Sequence, residues 1–392
     1  MVELDLDHSE VPNGSGSGEM QPQEVKILKD LQNTPFAALS LEVLPGGTAN
    51  FIYRAKLETP LDDGTREVLI KHGEDYLASN PTLSLTLSRC RAEAECLRAL
   101  SKFPAVGKTA GAPGTNFVVD IPRFYYFDDQ NNTQVHGYLP NSRDLKTYAL
   151  QRYPEDTPET LRRQCFQLGK ALGTWLRSFH DWAATQPELR DRLASNHEVK
   201  HLKHTIYFSW LLERVTVFPS VLGDARDIFE EVKNMAIVEL EAESQLQPIH
   251  GDFWTGNILL PDSPMREGDN VPVFVTDWEL AHVGVPSLDL GQMIAETYQL
   301  KLYRNITAGL WMVQGFVEGY GRVTEDMAFR TAVQVGVHLV CFGTMIDGWG
   351  TPEQVEMVAR TGKDIIVRAW RKDREWFEAG DLACLFAHIE GK

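Results

Sequence analysis

The sequence predicts an α+β chain of two lobes, a smaller N-terminal one built on an antiparallel sheet with one helix and a larger, mainly helical C-terminal one. Three observations predict it. Short alternating apolar runs separated by glycine-bearing turns occupy residues 41–72. From Asp144 onward apolar residues recur every three or four positions, most clearly over residues 159–182. Between Pro248 and Met293 that helical pattern gives way to two short apolar runs with acids and an amide at their ends.

Residues 1–22 contain NGSGSGE and little hydrophobic periodicity, so a flexible leader is expected there. Residues 23–139 form the expected first lobe and 140–392 the second. Val25, Ile27-Leu28 and Leu31 space a short amphipathic helix. Leu41–Leu44 and Phe51–Ala55 read as strands around the turn Pro45–Asn50, and Glu67–His72 as a third, ending in Lys71-His72. Gly46 and Gly47 let backbone N–H groups in that turn approach a phosphate, although GG-x-x-N is also a common hairpin turn. A helix over about Leu85–Leu100 carries Glu93 and Glu95. Val118–Phe127 and Gln134–Leu139 are read as two further strands, and helices are expected near 203–218, 224–243 and over most of 286–376. The GK-T in residues 104–116 lacks the first glycine of a Walker A loop.

The stretch PIHGDFWTGNILL…VFVTDWELAHVGVPSLDLGQM holds the chemistry. Ile258–Leu260 and Val273–Val275 read as a hairpin, joined by the Pro-, Asp- and Gly-rich PDSPMREGDN. Its open end would gather Asp252, Asn257 and Asp277, a hard-oxygen set suited to Mg²⁺ with phosphate oxygens as further ligands. Phosphoryl transfer needs a carboxylate that accepts or orients the proton of the attacking hydroxyl, here Asp252, and an Asn and an Asp that hold the metal, here Asn257 and Asp277. Taken singly, an Asp after Gly is usually a turn residue and an Asn before a strand a cap. Glu279 is open between a second metal ligand and a structural acid. His250 positions the loop, because the carboxylate already fills the role of base. Asp289 caps a helix or braces that loop.

HGD-x4-N followed by D-W-E resembles the aminoglycoside phosphotransferase superfamily, small-molecule kinases on a protein-kinase-like fold. DFWTGNILL and DWELAHVGVPSLDLGQ are most similar to methylthioribose kinases and the fungal 4-hydroxytryptamine kinase group. The resemblance implies ATP and Mg²⁺ as cofactors and a hydroxyl of a small molecule as acceptor: a methylthioribose-like sugar, an amino alcohol or a hydroxyindole. It implies a nucleotide loop at Gly46, Gly47 and Asn50, and Lys71 as the strand lysine that holds phosphates. Glu93 is preferred over Glu95 as its ion-pair partner because E-x3-L-x2-L matches how related kinases write this helix. It further places a hinge for the adenine edge at His136, Gly137 and Tyr138. Gly251 stands where protein kinases carry Arg, Trp278-Glu279 where they carry Phe-Gly, and A-P-E is missing, which disfavours a protein substrate. A protein kinase and an inactive nucleotide-binding scaffold are the alternatives, and the preference between ATP and GTP stays open.

Bulk properties narrow the partners. A formal net charge of −17 argues against nucleic acid or an anionic membrane and is compatible with a cationic acceptor. Asp347 and Trp349 are candidates for its pocket, since an acid beside an indole can meet an amine. Five cysteines without C-x-x-C spacing, an acidic start and no long apolar span predict a reduced, cytoplasmic protein with no membrane segment. The oligomeric state is left open.

Overall fold

Apolar alternation in the first third of the chain folds as it reads. The computed structural model describes residues 21–106, 114–345 and 349–390. Helix α1 (Pro22–Leu31) starts on a proline and on Glu24, whose carboxylate accepts from the Gln21 amide. Strands β1 (Ala38–Val43), β2 (Phe51–Leu57) and β3 (Glu67–His72) follow, then a small hairpin of β4 (Tyr76–Leu77) and β5 (Asn80–Ser84), and helix α2 (Ser88–Leu100). After β6 (Asn116–Asp120) come β7 (Phe124–Asp128) and β8 (Thr133–Gly137). One antiparallel sheet runs in the order β1-β2-β3-β8-β7. Ile27 and Leu31 of α1 pack on Tyr53, Ala55, Val68, Ile70 and Val135, while Cys90 and Ala94 of α2 pack on Phe127.

The expected single strand over 118–127 is corrected. It is two strands in two different sheets, broken at Ile121-Pro122-Arg123. Pro122 has no N–H for a ladder, so pairing stops there. β6 instead runs parallel to a later strand, from Asn116 opposite Asn270 to Asp120 opposite Phe274. The chain accordingly divides into two compact units, residues up to Lys102 with Pro122–Pro140, and Phe103–Ile121 with Asn141 onward.

The second unit opens with β9 (Ser142–Asp144) and α3 (Leu145–Arg152), whose N-cap Asp144 accepts from the Thr147 amide at 2.8 Å. The long amphipathic helix is α4 (Arg162–Ala184), entered through a 3₁₀ turn. Next come α5 (Pro187–Ala194) and α6 (His197–His204). The helix expected over 203–218 therefore starts earlier than expected. It is interrupted by a π turn at Thr205–Ser209 before α7 (Trp210–Val217) and ends at Pro219. After α8 (Pro219–Leu222) and α9 (Arg226–Glu241), β10 (Gln247–Ile249) leads into the motif stretch.

There β11 (Ile258–Pro261) and β12 (Asn270–Val275) form the expected hairpin, in a sheet ordered β6-β12-β11-β9, and β13 (His282–Gly284) pairs with β10. Helices α10 (Ser287–Arg304), α11 (Ala308–Tyr320), α12 (Glu325–Cys341), α13 (Pro352–Trp370) and α14 (Arg374–Glu378) complete the unit. Trp175, Phe179, Phe253 and Trp278 are all buried, and their rings pack with centroids 5.0–6.3 Å apart directly under the motif loop. No described helix is long and apolar enough to cross a membrane.

Candidate active site

The hairpin register sets the site in the second unit. Ile258 opposes Val275, and Thr276 donates its amide (2.9 Å) and hydroxyl (3.1 Å) to the carbonyl of Asn257. Asn257 and Asp277 therefore emerge at one end of the same hairpin. Asp277 has φ +63°, a left-handed conformation that a non-glycine residue adopts only when its surroundings impose it. A carboxylate oxygen of Asp277 lies within 4.8 Å of one of Glu279, which is buried.

Asp252 stands across from them on the loop that follows β10. Its Oδ1 accepts from Gln292 Nε2 at 2.8 Å and Lys203 Nζ at 3.2 Å, and its Oδ2 accepts from Asn257 Nδ2 at 3.0 Å. Burial alone would raise this carboxyl. The Lys203 ammonium and the Gln292 amide outweigh burial and hold it below the usual carboxylate range. The base candidate is thus an anion at neutral pH. Asn257 Nδ2 also donates to the Asp252 carbonyl at 3.0 Å, so the amide oxygen is the Asn257 atom left to ligate a cation.

The loop is clamped from below. Asp289, fully buried on α10, accepts from the amides of His250 and Gly251, both at 2.9 Å, and pairs with His180 Nε2 at 3.0 Å. Of the two roles read for Asp289, the hydrogen bonds are those of a brace. His250 Nε2 contacts the Thr276 carbonyl at 3.0 Å and its Nδ1 receives the Asp252 amide at 3.2 Å, so the neutral imidazole ties the loop to β12. Gly251 has φ +77°, and a Cβ there would fall 2.1 Å from the Leu280 carbonyl oxygen. No side chain fits at that position.

The first unit holds a second polar cluster. Lys71 Nζ lies 2.9 and 2.8 Å from the two carboxylate oxygens of Glu93, and both side chains are buried. Glu95 pairs instead with Arg98 at 3.1 Å. Gln134, the register partner of Lys71 on β8, donates to Glu93 at 3.0 Å, and His136 Nε2 contacts Gln134 Oε1 at 3.0 Å. Replacing Lys71 by methionine would leave Glu93 buried without its cation. The expected cost is about 3 kcal/mol of stability, read as a lowered melting temperature, together with roughly a hundredfold loss of kcat/KM.

Gly46 and Gly47 lie on the turn between β1 and β2. Asn50 is buried, and its Oδ1 accepts from Arg89 at 3.1 Å, so its side chain anchors the turn from within. The Gly137 amide donates to the Arg123 carbonyl at 2.7 Å, and Arg54 lies 5.3 Å over the Tyr138 ring. Trp349 is buried against Tyr303. Asp347 lies outside the described residues.

Burial also fixes the charge state of three histidines. It depresses His136 to about 3, helped by Lys71, depresses His282 to about 4, and lowers His250. Their unfolded counterparts titrate near 6.5, so the unfolded state binds more protons between about pH 4 and 6.5. Stability is full above that window and falls as pH drops through it, by about 1 kcal/mol per pH unit for each of His136 and His282, and His250 adds in the same direction. Urea unfolding at pH 7 and pH 5 measures the loss, and an unchanged midpoint would contradict it.

A profile of the phosphotransferase enzyme family matches residues 59–329. The chain belongs to this family. Among its relatives, phosphotransferase FrzJ of Cladobotryum sp is 27% identical over 92% of this chain and 96% of its own. The 4-hydroxytryptamine kinase of Psilocybe cyanescens is 23% identical over 86% of this chain and 91% of its own. Among solved structures, an ethanolamine kinase of Plasmodium vivax is 14% identical, with a TM-score of 0.49 over 89% of this chain and 88% of that one. An antiparallel sheet unit and a mainly helical unit are the contents of the family's protein-kinase-like fold, and the protein is a small-molecule phosphotransferase acting on hydroxyl groups.

Three residues of these clusters escaped sequence reading. Gln134 was detectable as a polar residue opposite Lys71 once strands were aligned. Gln292 lies three positions after Asp289 and shares its helix face. Lys203 sits in HEVKHLKH, a run with no motif, and only folding brings it to Asp252.

Proposed function

We propose that this phosphotransferase moves the γ-phosphoryl group of ATP, with Mg²⁺, to a hydroxyl of a small metabolite, with amino alcohols and hydroxyindoles as the acceptors to test first and methylthioribose-like sugars next. One observation carries the reading: an ionised Asp252, held by three donors, stands on the same loop and hairpin as the oxygen set of Asn257, Asp277 and Glu279. That set is all hard oxygen, with two carboxylates close enough to share one ion, and it fits Mg²⁺. When bound, the metal would supply neutralising charge to the nucleotide phosphates.

The residues divide the work by chemistry. Asp252 orients the acceptor hydroxyl and takes its proton as the new O–P bond forms and ADP departs. Asn257 holds Asp252 through its amide nitrogen. Lys71 meets nucleotide phosphates and Glu93 holds Lys71. Because the Gly137 amide donates to the Arg123 carbonyl, a backbone contact to the adenine edge would use other main-chain groups of His136, Gly137 and Tyr138. The 4-hydroxytryptamine kinases among the relatives support hydroxyindoles as an acceptor class.

Coupled ADP release with Mg·ATP over a panel of sugars, amino alcohols, aminoglycosides and hydroxyindoles tests this. Turnover on one class, lost in Asp252→Ala, is the expected result. Binding of Mg·ATP with no turnover on any hydroxyl would leave a scaffold, and failure to bind would refute the assignment of Lys71, Asn257 and Asp277.

A further inference from the structure

Glu296 is a charged group that the phosphoryl-transfer chemistry does not use. It lies on α10 four residues after Gln292, so the two share a helix face about 6 Å apart along the axis. Gln292 touches Asp252. Glu296 is only 3% exposed. Its Oε1 meets His338 Nε2 at 2.7 Å, and His338 Nδ1 in turn meets the Tyr207 hydroxyl at 3.4 Å. Its Oε2 is buried and accepts no hydrogen bond from any described residue.

Around that oxygen the structure has assembled a box for a cation. The nearest positive charge is Lys146 Nζ, 4.0 Å from Oε2, which is beyond hydrogen-bond reach. The same ammonium lies 4.4 Å from the ring centroid of Trp349 and 5.4 Å from that of Trp254. Trp254 follows Asp252 by two residues, and its indole folds over Gly256, where a Cβ would fall 2.3 Å from the ring. Two indole faces and a buried carboxylate attract an ammonium group strongly, because desolvation strengthens both the cation–π and the charge interaction. Lys146 fills the box incompletely and leaves one carboxylate oxygen unbonded.

We infer that Glu296, Trp254 and Trp349 form a recognition site for an organic ammonium group, occupied here by the protein's own Lys146, which an incoming ligand cation displaces. Calling that ligand the acceptor rests on the phosphoryl-transfer reading given above. On that reading the acceptor is a hydroxylated amine whose hydroxyl and ammonium are on the order of 6 Å apart, one turn of α10. Lys146 serves as a competitor that keeps Glu296 charged while the site is empty and moves to solvent when the ligand binds.

The test uses probes without a hydroxyl, so binding is read apart from turnover. Calorimetric titration of the full chain with tryptamine and with the neutral, similarly shaped indole-3-acetamide should show the cation binding about tenfold or more tighter. Glu296→Gln should remove that preference and leave the amide within about twofold. Lys146→Met should tighten tryptamine, a change opposite in sign to what damage to the fold would cause. Equal binding of the two probes, no binding of tryptamine, or weaker binding in Lys146→Met would overturn the proposal. Tryptamine binding with no ADP release on any hydroxyl would keep the cation site and sink the phosphoryl-transfer reading. Turnover with no tryptamine binding would do the reverse.

Discussion

Replacing Asp252 by alanine is expected to lower kcat by about a thousandfold, within the range a positioned general base contributes. The removed carboxylate is the acceptor for Lys203, Gln292 and Asn257 together. Alanine would therefore also release Asn257, whose amide nitrogen is anchored on Asp252. Asp252→Asn keeps the size of the side chain and one acceptor oxygen, so it removes the charge and the proton acceptor while turning an amide nitrogen toward one of these donors. Lys203→Met probes the same carboxylate from the other side. Burial favours the neutral acid and Lys203 opposes it, so removing Lys203 raises the Asp252 pKa and moves the acid limb of kcat/KM to higher pH. Steady-state kinetics across pH on the three variants measures this. Unchanged kcat in Asp252→Ala would remove Asp252 from the chemistry altogether.

Asp289→Ala is expected to cost about 4 kcal/mol of stability and most of the activity. Its carboxylate satisfies two backbone amides of the motif loop and one imidazole nitrogen, all buried. Truncation leaves three donors without a partner where water cannot easily reach, and each such group costs roughly 1–3 kcal/mol. The loop would also lose the bonds that hold Gly251 at positive φ, and with them the placement of Asp252 one residue on. A chemical denaturation midpoint reads the stability loss. Residual kcat well below the unfolding temperature of the variant, compared at matched fraction folded, reads the misplacement. Wild-type stability in Asp289→Ala would show the brace to be dispensable. Because the His180 imidazole also faces Asp289, His180→Ala should reproduce part of the loss and be non-additive with Asp289→Ala.

Reading the chain alone went furthest where chemistry sits on consecutive residues. His250, Asp252, Asn257, Asp277 and Glu279 occupy one stretch joined by one hairpin, and local alternation plus a turn-rich connector places them at a common end. Lys71 with its strand, and the two glutamates on the following helix, were legible from apolar alternation and helical spacing for the same reason. Between those glutamates the rotation of α2 decides, and it sets Glu93 inward and Glu95 outward to Arg98. Two structural features lay beyond such reading. Strand β6 ends at Asp120, before the chain changes sheet at Pro122, and pairs in parallel with β12, more than a hundred residues away in sequence, and no local pattern encodes a partner that distant. Lys203, Glu296 and Lys146 come from three helices of otherwise ordinary composition, and they converge only because burial of each apolar face fixes how those helices pack. Periodicity and turn chemistry are written in neighbouring residues, so the elements and the motif were readable one after another. Which charged side chain meets which depends on the packing of faces far apart in the chain, and that is determined only when the whole core forms.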